Sequence, residues 1–209
     1  MVFQTKEKAE YVKWKMRGDR VMSLVALLLF FPLFLLIGFC IKITDWKSPI
    51  LFKQKRVGKE GRTFYMYKFR TMCPDAEAQF EQYLKQNEIE GAMFKIREDP
   101  RVTKMGRILR KTSLDELPQI WNVLKGEMSL VGPRPPLPRE VAEYSLYDKQ
   151  RLLITPGCTG LWQVSGRNQL SFKEMVELDL HYIHHLSWKQ DFKIICKTIL
   201  VVILLKGAY

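Results

Sequence analysis

The stretch VMSLVALLLFFPLFLLIGFCI, residues 21 to 41, carries no charged side chain. As one straight helix it would rise roughly 30 Å, enough to cross the hydrocarbon core of a bilayer. It is too long for the apolar part of a cleavable signal peptide, and no A-x-A-like site follows it. A single-pass helix is the simplest account. Two features point to another one. Lys13, Lys15, Arg17 and Arg20 precede the run, and Lys42, Lys47, Lys53, Lys55 and Arg56 follow it; basic flanks belong on the cytoplasmic side of a membrane. Pro32 sits inside the run, where it removes one backbone hydrogen bond and bends the helix. A bent helix with both ends on one face is a re-entrant hairpin dipping into one leaflet. Spanning and re-entrant topologies both remain open at this point, and the second is the expectation.

The chain has 209 residues, 47% of them hydrophobic, which suits one domain with a sizeable core and argues against disorder. Its formal net charge of +12 asks for an anionic partner: nucleic acid, acidic lipid headgroups or a phosphorylated substrate. Cys40, Cys73, Cys158 and Cys196 are far apart and form no CxxC or zinc spacing, so a disulfide framework is not expected and a reducing compartment fits.

Residues 50 to 72, ILFKQKRVGKEGRTFYMYKFRTM, place apolar and aromatic runs on either side of a Gly58–Gly61 turn and read as a β-hairpin. Lys68 and Arg70 share parity on that strand; a solvated face is the plain reading. Residues 73 to 90 read as a polar surface helix or lid, and EDPRVTKMGRILRK as a basic connector entering a short helix. Ser171 and Glu174 have capping-box spacing ahead of a helix. The tail WKQDFKIICKTILVVILLKGAY mixes lysines with bulky apolar residues. It either lies in a membrane interface with Trp188 at the boundary or packs as a core helix.

The chemistry-bearing stretch is KTSLDELPQIWNVLKGEMSLVGPRP, residues 111 to 135. Ser113 and Glu116 fit a capping box, Asp115 would complement the helix dipole, and Leu117, Ile120, Trp121 and Leu124 fall on a buried stripe ended by Gly126. Capping alone would account for both carboxylates. Three observations strain that account. Arg107, Arg110 and Lys111 come just before the pair and, with a helix N-terminus, would suit a phosphate. Arg134 is held between Pro133 and Pro135, so a phosphate clamp there has little backbone entropy to lose, though a rigid surface loop would look the same. TPGCTGLWQVSGRNQ offers Gly turns, Trp162 to stack on a base and Arg167 to reach its phosphates, or is an ordinary turn-rich connection. A carboxylate among arginines can meet a phosphate through Mg2+, which one or two carboxylates hold together with substrate oxygens, and the carboxylate can itself be the nucleophile. His181 and His185 lie one helical turn apart without a metalloprotease motif and read as a helix face.

YKFRTM, RKTSLDELPQIWNVLKGEMSLVGPRP, TPGCTGLWQVSGRN and the ending DFKIICKTILVVILLKGAY together resemble the monotopic phosphoglycosyl transferases, or bacterial sugar transferases, from about residue 15 to the C-terminus. The resemblance is to the catalytic part alone, without the multi-pass region of longer members. It implies transfer of a sugar 1-phosphate from a UDP-sugar to polyprenyl phosphate at the cytoplasmic face of a bacterial inner membrane, with release of UMP and a need for Mg2+. It implies Asp115 as nucleophile and Glu116 as its partner, both near the metal. Lys68, Arg110 and Arg134 would hold phosphates, with Arg167 a further substrate contact. Pro32 would be the membrane kink; the serine that precedes this proline in the family is Phe31 here. The insertion after Met72 and the GAY terminus lean toward capsule or exopolysaccharide initiators using UDP-glucose or UDP-galactose.

The expected fold is α+β: a small, mainly helical membrane-associated domain with a short β-hairpin or sheet, a kinked re-entrant helix and interfacial amphipathic helices. The expected division is a basic interfacial segment (1–20), the re-entrant helix (21–43) and a cytoplasmic catalytic domain with a C-terminal interfacial helix (44–209), acting as one unit. A homo-oligomer is compatible with it. The competing class is a non-catalytic basic scaffold or anionic-lipid binding module, which leaves the acidic pair and Pro-Arg-Pro as accidents. Nucleic acid is not an expected partner, since no recognition motif is present. The topology has a direct test. Single cysteines placed at Lys13 and Lys47 should both react with an impermeant reagent from the same side of sealed membranes; labelling from opposite sides means a spanning helix.

Overall fold

The computed structural model describes residues 6–83, 96, 98–166 and 170–204. The apolar run is divided between two helices, α1 (Lys6–Leu29) and α2 (Phe31–Thr44), with a 60° bend at Phe30. Pro32 lies in the first turn of α2, where the missing N–H would have had no intrahelical partner. In an unbroken helix that N–H would have bonded the preceding turn, so the chain breaks just ahead of the proline. Among the described residues no single helix is long and apolar enough to cross a membrane, but the bent pair qualifies by length and composition.

The hairpin is present as β1 (Leu51–Val57) and β2 (Thr63–Phe69), antiparallel, with Leu51 opposite Phe69 and Val57 opposite Thr63. Glu60 and Gly61 take positive φ in its turn. A second sheet, unannounced by any alternation, pairs β3 (Ser129–Val131) and β4 (Gly157–Thr159) in parallel. Of the surface helix expected over 73–90, α3 covers only Phe80–Tyr83; residues 74–79 form turns instead, and residues 84–90 lie outside the described residues. The other helices are α4 (Lys104–Lys111), α5 (Gln119–Lys125), α6 (Pro138–Ala142), α7 (Phe172–His184) and α8 (Trp188–Ile203). The capping box expected at Ser171 is formed, with Glu174 reaching back to the Ser171 amide at 2.8 Å. The architecture is α+β.

Burial organises these pieces around the hairpin and α5. Asn122 on α5 is fully buried, accepts from the Tyr67 amide at 3.1 Å and donates to the Tyr65 carbonyl at 2.7 Å, so it ties α5 to the backbone of β2. The stripe read for this helix is rotated: Gln119, Asn122 and Val123 face inward and Trp121 is 49% exposed. The polar Asn122 wins the inner position because two backbone groups of β2 need it. The α2 helix is not left free. Its Ile37 and Ile41 pack with Phe69 of β2 and Leu109 of α4, with Leu114 and Leu117 alongside. Its other face, with Phe31, Leu35, Leu36, Phe39 and Ile43, is exposed, continuing the exposed Val21, Val25, Leu28 and Leu29 of α1. An apolar surface of that extent marks a membrane or a partner.

Helix α8 resolves the two readings of the tail into two faces. Ile194 is in the core with Tyr182, Ile183 and Val131, while Trp188, Phe192, Ile199 and Leu200 are exposed. Helix α1 is held to this core by a polar network. Lys15 pairs with Asp191 at 2.5 Å and Asp19 at 3.5 Å. Tyr11 and Tyr182 donate to Asp191, and Ser129 and the Leu130 amide donate to Asp19. Lys15, read from sequence as one of the basic flanks, is therefore turned inward.

Gly106 in α4 lets the helix lie against Thr71: a Cβ there would stand 2.0 Å from the Thr71 carbonyl oxygen. In an exposed helix Gly→Ala would stabilise by about 1 kcal/mol. Here the sign should reverse, with Gly106→Ala lowering stability by about 1–3 kcal/mol through overpacking against backbone, read as a drop in the thermal midpoint.

Candidate active site

The acidic pair does not begin a helix. Helix α4 ends at Thr112, whose hydroxyl folds back onto the Ile108 and Leu109 carbonyls. Ser113 then takes the left-handed conformation, φ 56°, and makes no side-chain cap. Leu114–Glu116 forms a single 3-10 turn, and α5 starts only after Pro118. The capping box read at Ser113 is thus absent: Ser113 cannot cap in that conformation, and Glu116 is engaged by Lys68 instead. A left-handed non-glycine residue costs of order 1–2 kcal/mol. That strain turns Asp115 inward while Glu116 stays at the mouth.

Asp115 is 7% exposed. Burial raises its pKa to about 6, against the pull of Lys68 and with a further push from Glu116; Arg110 works to lower it. Glu116, its side chain 41% exposed, goes the other way. Crowding by protein opposes its charge, but the Lys68 ammonium at 2.6 Å, with Arg134 and Arg56, holds its carboxyl below the usual range. Lys68 is carried on β2 and reaches Glu116 across the gap to the turn. Arg110 comes from the last turn of α4 and is oriented by Thr71, whose hydroxyl accepts from Nε at 3.0 Å. Burial lowers the Arg110 pKa, with Asp115 and Asp99 opposing. Of the cluster read before the pair, only Arg110 serves the site; Arg107 and Lys111 point to solvent.

Arg134 enters from the Pro-bracketed loop. That loop is no surface feature: Pro133 and Pro135 are buried, the Gly157 amide donates to the Pro133 carbonyl at 2.9 Å, and the Val57 amide donates to Pro136 at 2.9 Å. Arg134 lines a cleft with Arg56, Met66, Lys68, Glu116, Gln119, Cys158 and Gln163. The cleft encloses about 280 Å³ of space, its open mouth included.

Two readings fail or fall outside. Trp162 is 4% exposed and packs with Met175, Leu170 and Phe172, so it cannot stack on a base. Arg167 lies outside the described residues. His181 and His185 stack at 4.3 Å on an exposed face. Among the described residues no group of three or more His, Cys, Asp or Glu side chains could hold a metal. What the site offers a cation is the pair Asp115 and Glu116, hard oxygen donors suited to Mg2+ when substrate phosphates and water complete the shell.

Arg56 is the cleft residue that sequence reading missed, noticed only as a flanking positive charge. The signal was available. A turn at Gly58–Gly61 sets Arg56 opposite Phe64, and alternation then puts Arg56, Phe64, Met66 and Lys68 on one face of the hairpin.

Known proteins resemble this chain along most of its length. The profile of the family described as bacterial sugar transferase matches residues 10–205. A protein named galactosyl transferase CpsE, from Streptococcus agalactiae serotype III, is 53% identical over 162 residues, 77% of this chain and 36% of that protein. The exopolysaccharide production protein ExoY of Sinorhizobium fredii is 42% identical over 195 residues, 91% of this chain and 86% of ExoY. An undecaprenyl-phosphate galactose phosphotransferase of Salmonella typhimurium is 41% identical over 195 residues, 91% of this chain and 40% of that protein. The chain therefore spans well under half of two of these relatives and most of the third.

The Asp115 shift has a measurable sign. A carboxyl with pKa about 6 in the folded chain and about 3.9 unfolded keeps a proton on folding between those values. Its contribution to stability falls as pH rises from about 4 to about 6 and stays unfavourable above. Asp115→Asn should melt a few degrees higher than the native chain at pH 7.5, a gain on the order of 1 kcal/mol, and lose that gain near pH 4.

Proposed function

The chain belongs to the bacterial sugar transferase family, and from that premise we propose that it transfers a sugar 1-phosphate from a UDP-sugar to polyprenyl (undecaprenyl) phosphate, releasing UMP. The observation that carries this reading is the buried Asp115 set beside the Lys68–Glu116 ion pair and Arg110, in a break between helices that opens on a cleft lined by Arg134. An aspartate desolvated in this way is a better nucleophile than a hydrated one, and the cations around it are aimed at phosphate.

In the first step an Asp115 carboxylate oxygen attacks the sugar-bearing phosphorus. The bond from that phosphorus to the bridging oxygen breaks, and its electron pair leaves with UMP. In the second step a polyprenyl phosphate oxygen attacks the same phosphorus and the aspartyl–phosphorus bond breaks, restoring the carboxylate and giving a polyprenyl diphosphate sugar. Lys68, shared between Asp115 and Glu116, keeps Glu116 ionised and offers its charge to the phosphate oxygens. Arg110, beside Asp115, and Arg134, in the cleft wall, offer guanidinium groups to the phosphate oxygens. Mg2+, held by Asp115 and Glu116, would neutralise phosphate charge when bound. The exposed apolar faces of α1, α2 and α8 support attachment to the cytoplasmic side of a bacterial inner membrane, with the 60° bend as a re-entrant turn. The reaction would be the first membrane step of capsule or exopolysaccharide assembly, with a hexose favoured and galactose suggested by the names of two relatives.

Membranes carrying the chain, given undecaprenyl phosphate, Mg2+ and UDP-galactose or UDP-glucose in parallel, should release UMP. Asp115→Asn should reduce release by about three orders of magnitude or more while membrane attachment persists. Mass spectrometry of donor-treated protein should find a sugar-phosphate adduct on Asp115. Full activity in the Asn variant, or an adduct elsewhere, refutes the nucleophile.

A further inference from the structure

Arg56 is 4% exposed, and its guanidinium has no carboxylate within ion-pairing distance among the described residues. One terminal nitrogen donates to the Pro135 carbonyl at 2.9 Å and the other to Gln54 Oε1 at 2.5 Å, both neutral acceptors. The Nε–H is buried and has no partner. Leaving a buried cation uncompensated is costly, and perturbed ionisable groups in a cleft cluster at functional sites. The cleft wall also carries Arg134 and Lys68 against the single carboxylate of Glu116, so it holds a surplus of positive charge.

The position of Arg56 says which anion. Asp115 precedes Glu116 in one 3-10 turn, and Lys68 reaches Glu116 at 2.6 Å. Arg56 and Arg134 line the cleft together with Lys68 and Glu116. The Lys68–Glu116 pair therefore joins the turn that carries the nucleophile to the cleft wall that carries Arg56 and Arg134. In a phosphoryl displacement the attacking and leaving oxygens are roughly in line across phosphorus, and a phosphorus attacked from that turn would direct its leaving oxygen into this cleft. We propose that Arg56 and Arg134 form the in-line phosphate subsite, occupied by the nucleotide's phosphate as it leaves and then by the lipid phosphate as it enters. This rests on the transfer reading above. It gives both half-reactions one anion site and makes UMP a competitor of the lipid acceptor.

The test uses the full chain in membranes. Arg56→Gln keeps a donor for the Pro135 carbonyl and removes the charge; Arg56→Lys keeps the charge and removes the Nε–H. With the native chain active, Arg56→Gln should weaken inhibition by UMP and raise the KM for undecaprenyl phosphate together, each about 10-fold or more. Arg56→Lys should lie between. The Asp115 adduct should still form from saturating donor, and the thermal midpoint should hold or rise. If UMP inhibition is unchanged in a folded variant, the subsite is overturned. If both variants lose activity in proportion to a fall in thermal midpoint, with UMP inhibition intact, Arg56 is only a brace for the Pro135 loop. Should Arg56→Gln fail to fold, Arg56→Lys decides on the same readouts. If the native chain releases no UMP from any UDP-sugar, the failure lies with the transfer reading instead.

Discussion

Lys15 stands between Asp19 and Asp191, two nearly buried carboxylates that come from opposite ends of the chain. Neither charge could stay in that position alone. Removing one partner of such a buried set leaves an uncompensated ion and costs about 3–5 kcal/mol, whereas the set itself adds little over an apolar packing of the same volume. Its value is in geometry. Asp19 receives Ser129 and the Leu130 amide of β3, and Asp191 receives Tyr11 and Tyr182. One network thereby fixes the angle at which α1 leaves the core and the rotation of α8. The exposed apolar residues of both helices are oriented by those charges.

The site obeys the same electrostatic logic with the opposite outcome. In the Lys15 network every carboxylate is satisfied by hydrogen bonds. Around Asp115 satisfaction is withheld: burial lifts its pKa to about 6, while Lys68 favours Glu116 at 2.6 Å. Arg56, across the cleft, is buried with one donor unmet. A chain selected for stability alone would pair these groups with each other. Keeping them apart, on elements held by Asn122, Thr71 and the buried prolines, leaves unmet positive charge at the cleft, the feature on which the proposed phosphate site rests.

Much of this was legible in the residues, and the failures have physical causes. The hairpin was readable because the Gly58–Gly61 turn sits between alternating runs, and the α7 capping box because Ser171 and Glu174 are local to each other. The bend was readable from Pro32, although it falls at Phe30, since a proline disturbs the turn before it. The capping box at Ser113 was misread because spacing cannot reveal a left-handed φ. The base-stacking alternative for Trp162 could not be dismissed from sequence because a turn-rich loop gives no clue that its aromatic ring is buried against α7. Arg56 required register as well as composition. The β3–β4 pair was invisible because its strands are three residues each and their partners are set by tertiary contacts.

The last link is between the apolar helix and the acidic pair. Ile37 and Ile41 of α2 share a core cluster with Leu109 of α4, and Leu114 and Leu117 pack against the same cluster. Leu114 and Leu117 immediately flank Asp115 and Glu116. The inner face of α2 thus forms the floor under the turn that carries the site, while its outer face is exposed. The distance from apolar surface to carboxylate is set by one layer of side chains. A lipid phosphate cannot leave the headgroup plane, so a catalyst for it must be built at that depth. Under the proposed reaction, packing the site directly on α2 is what fixes that depth.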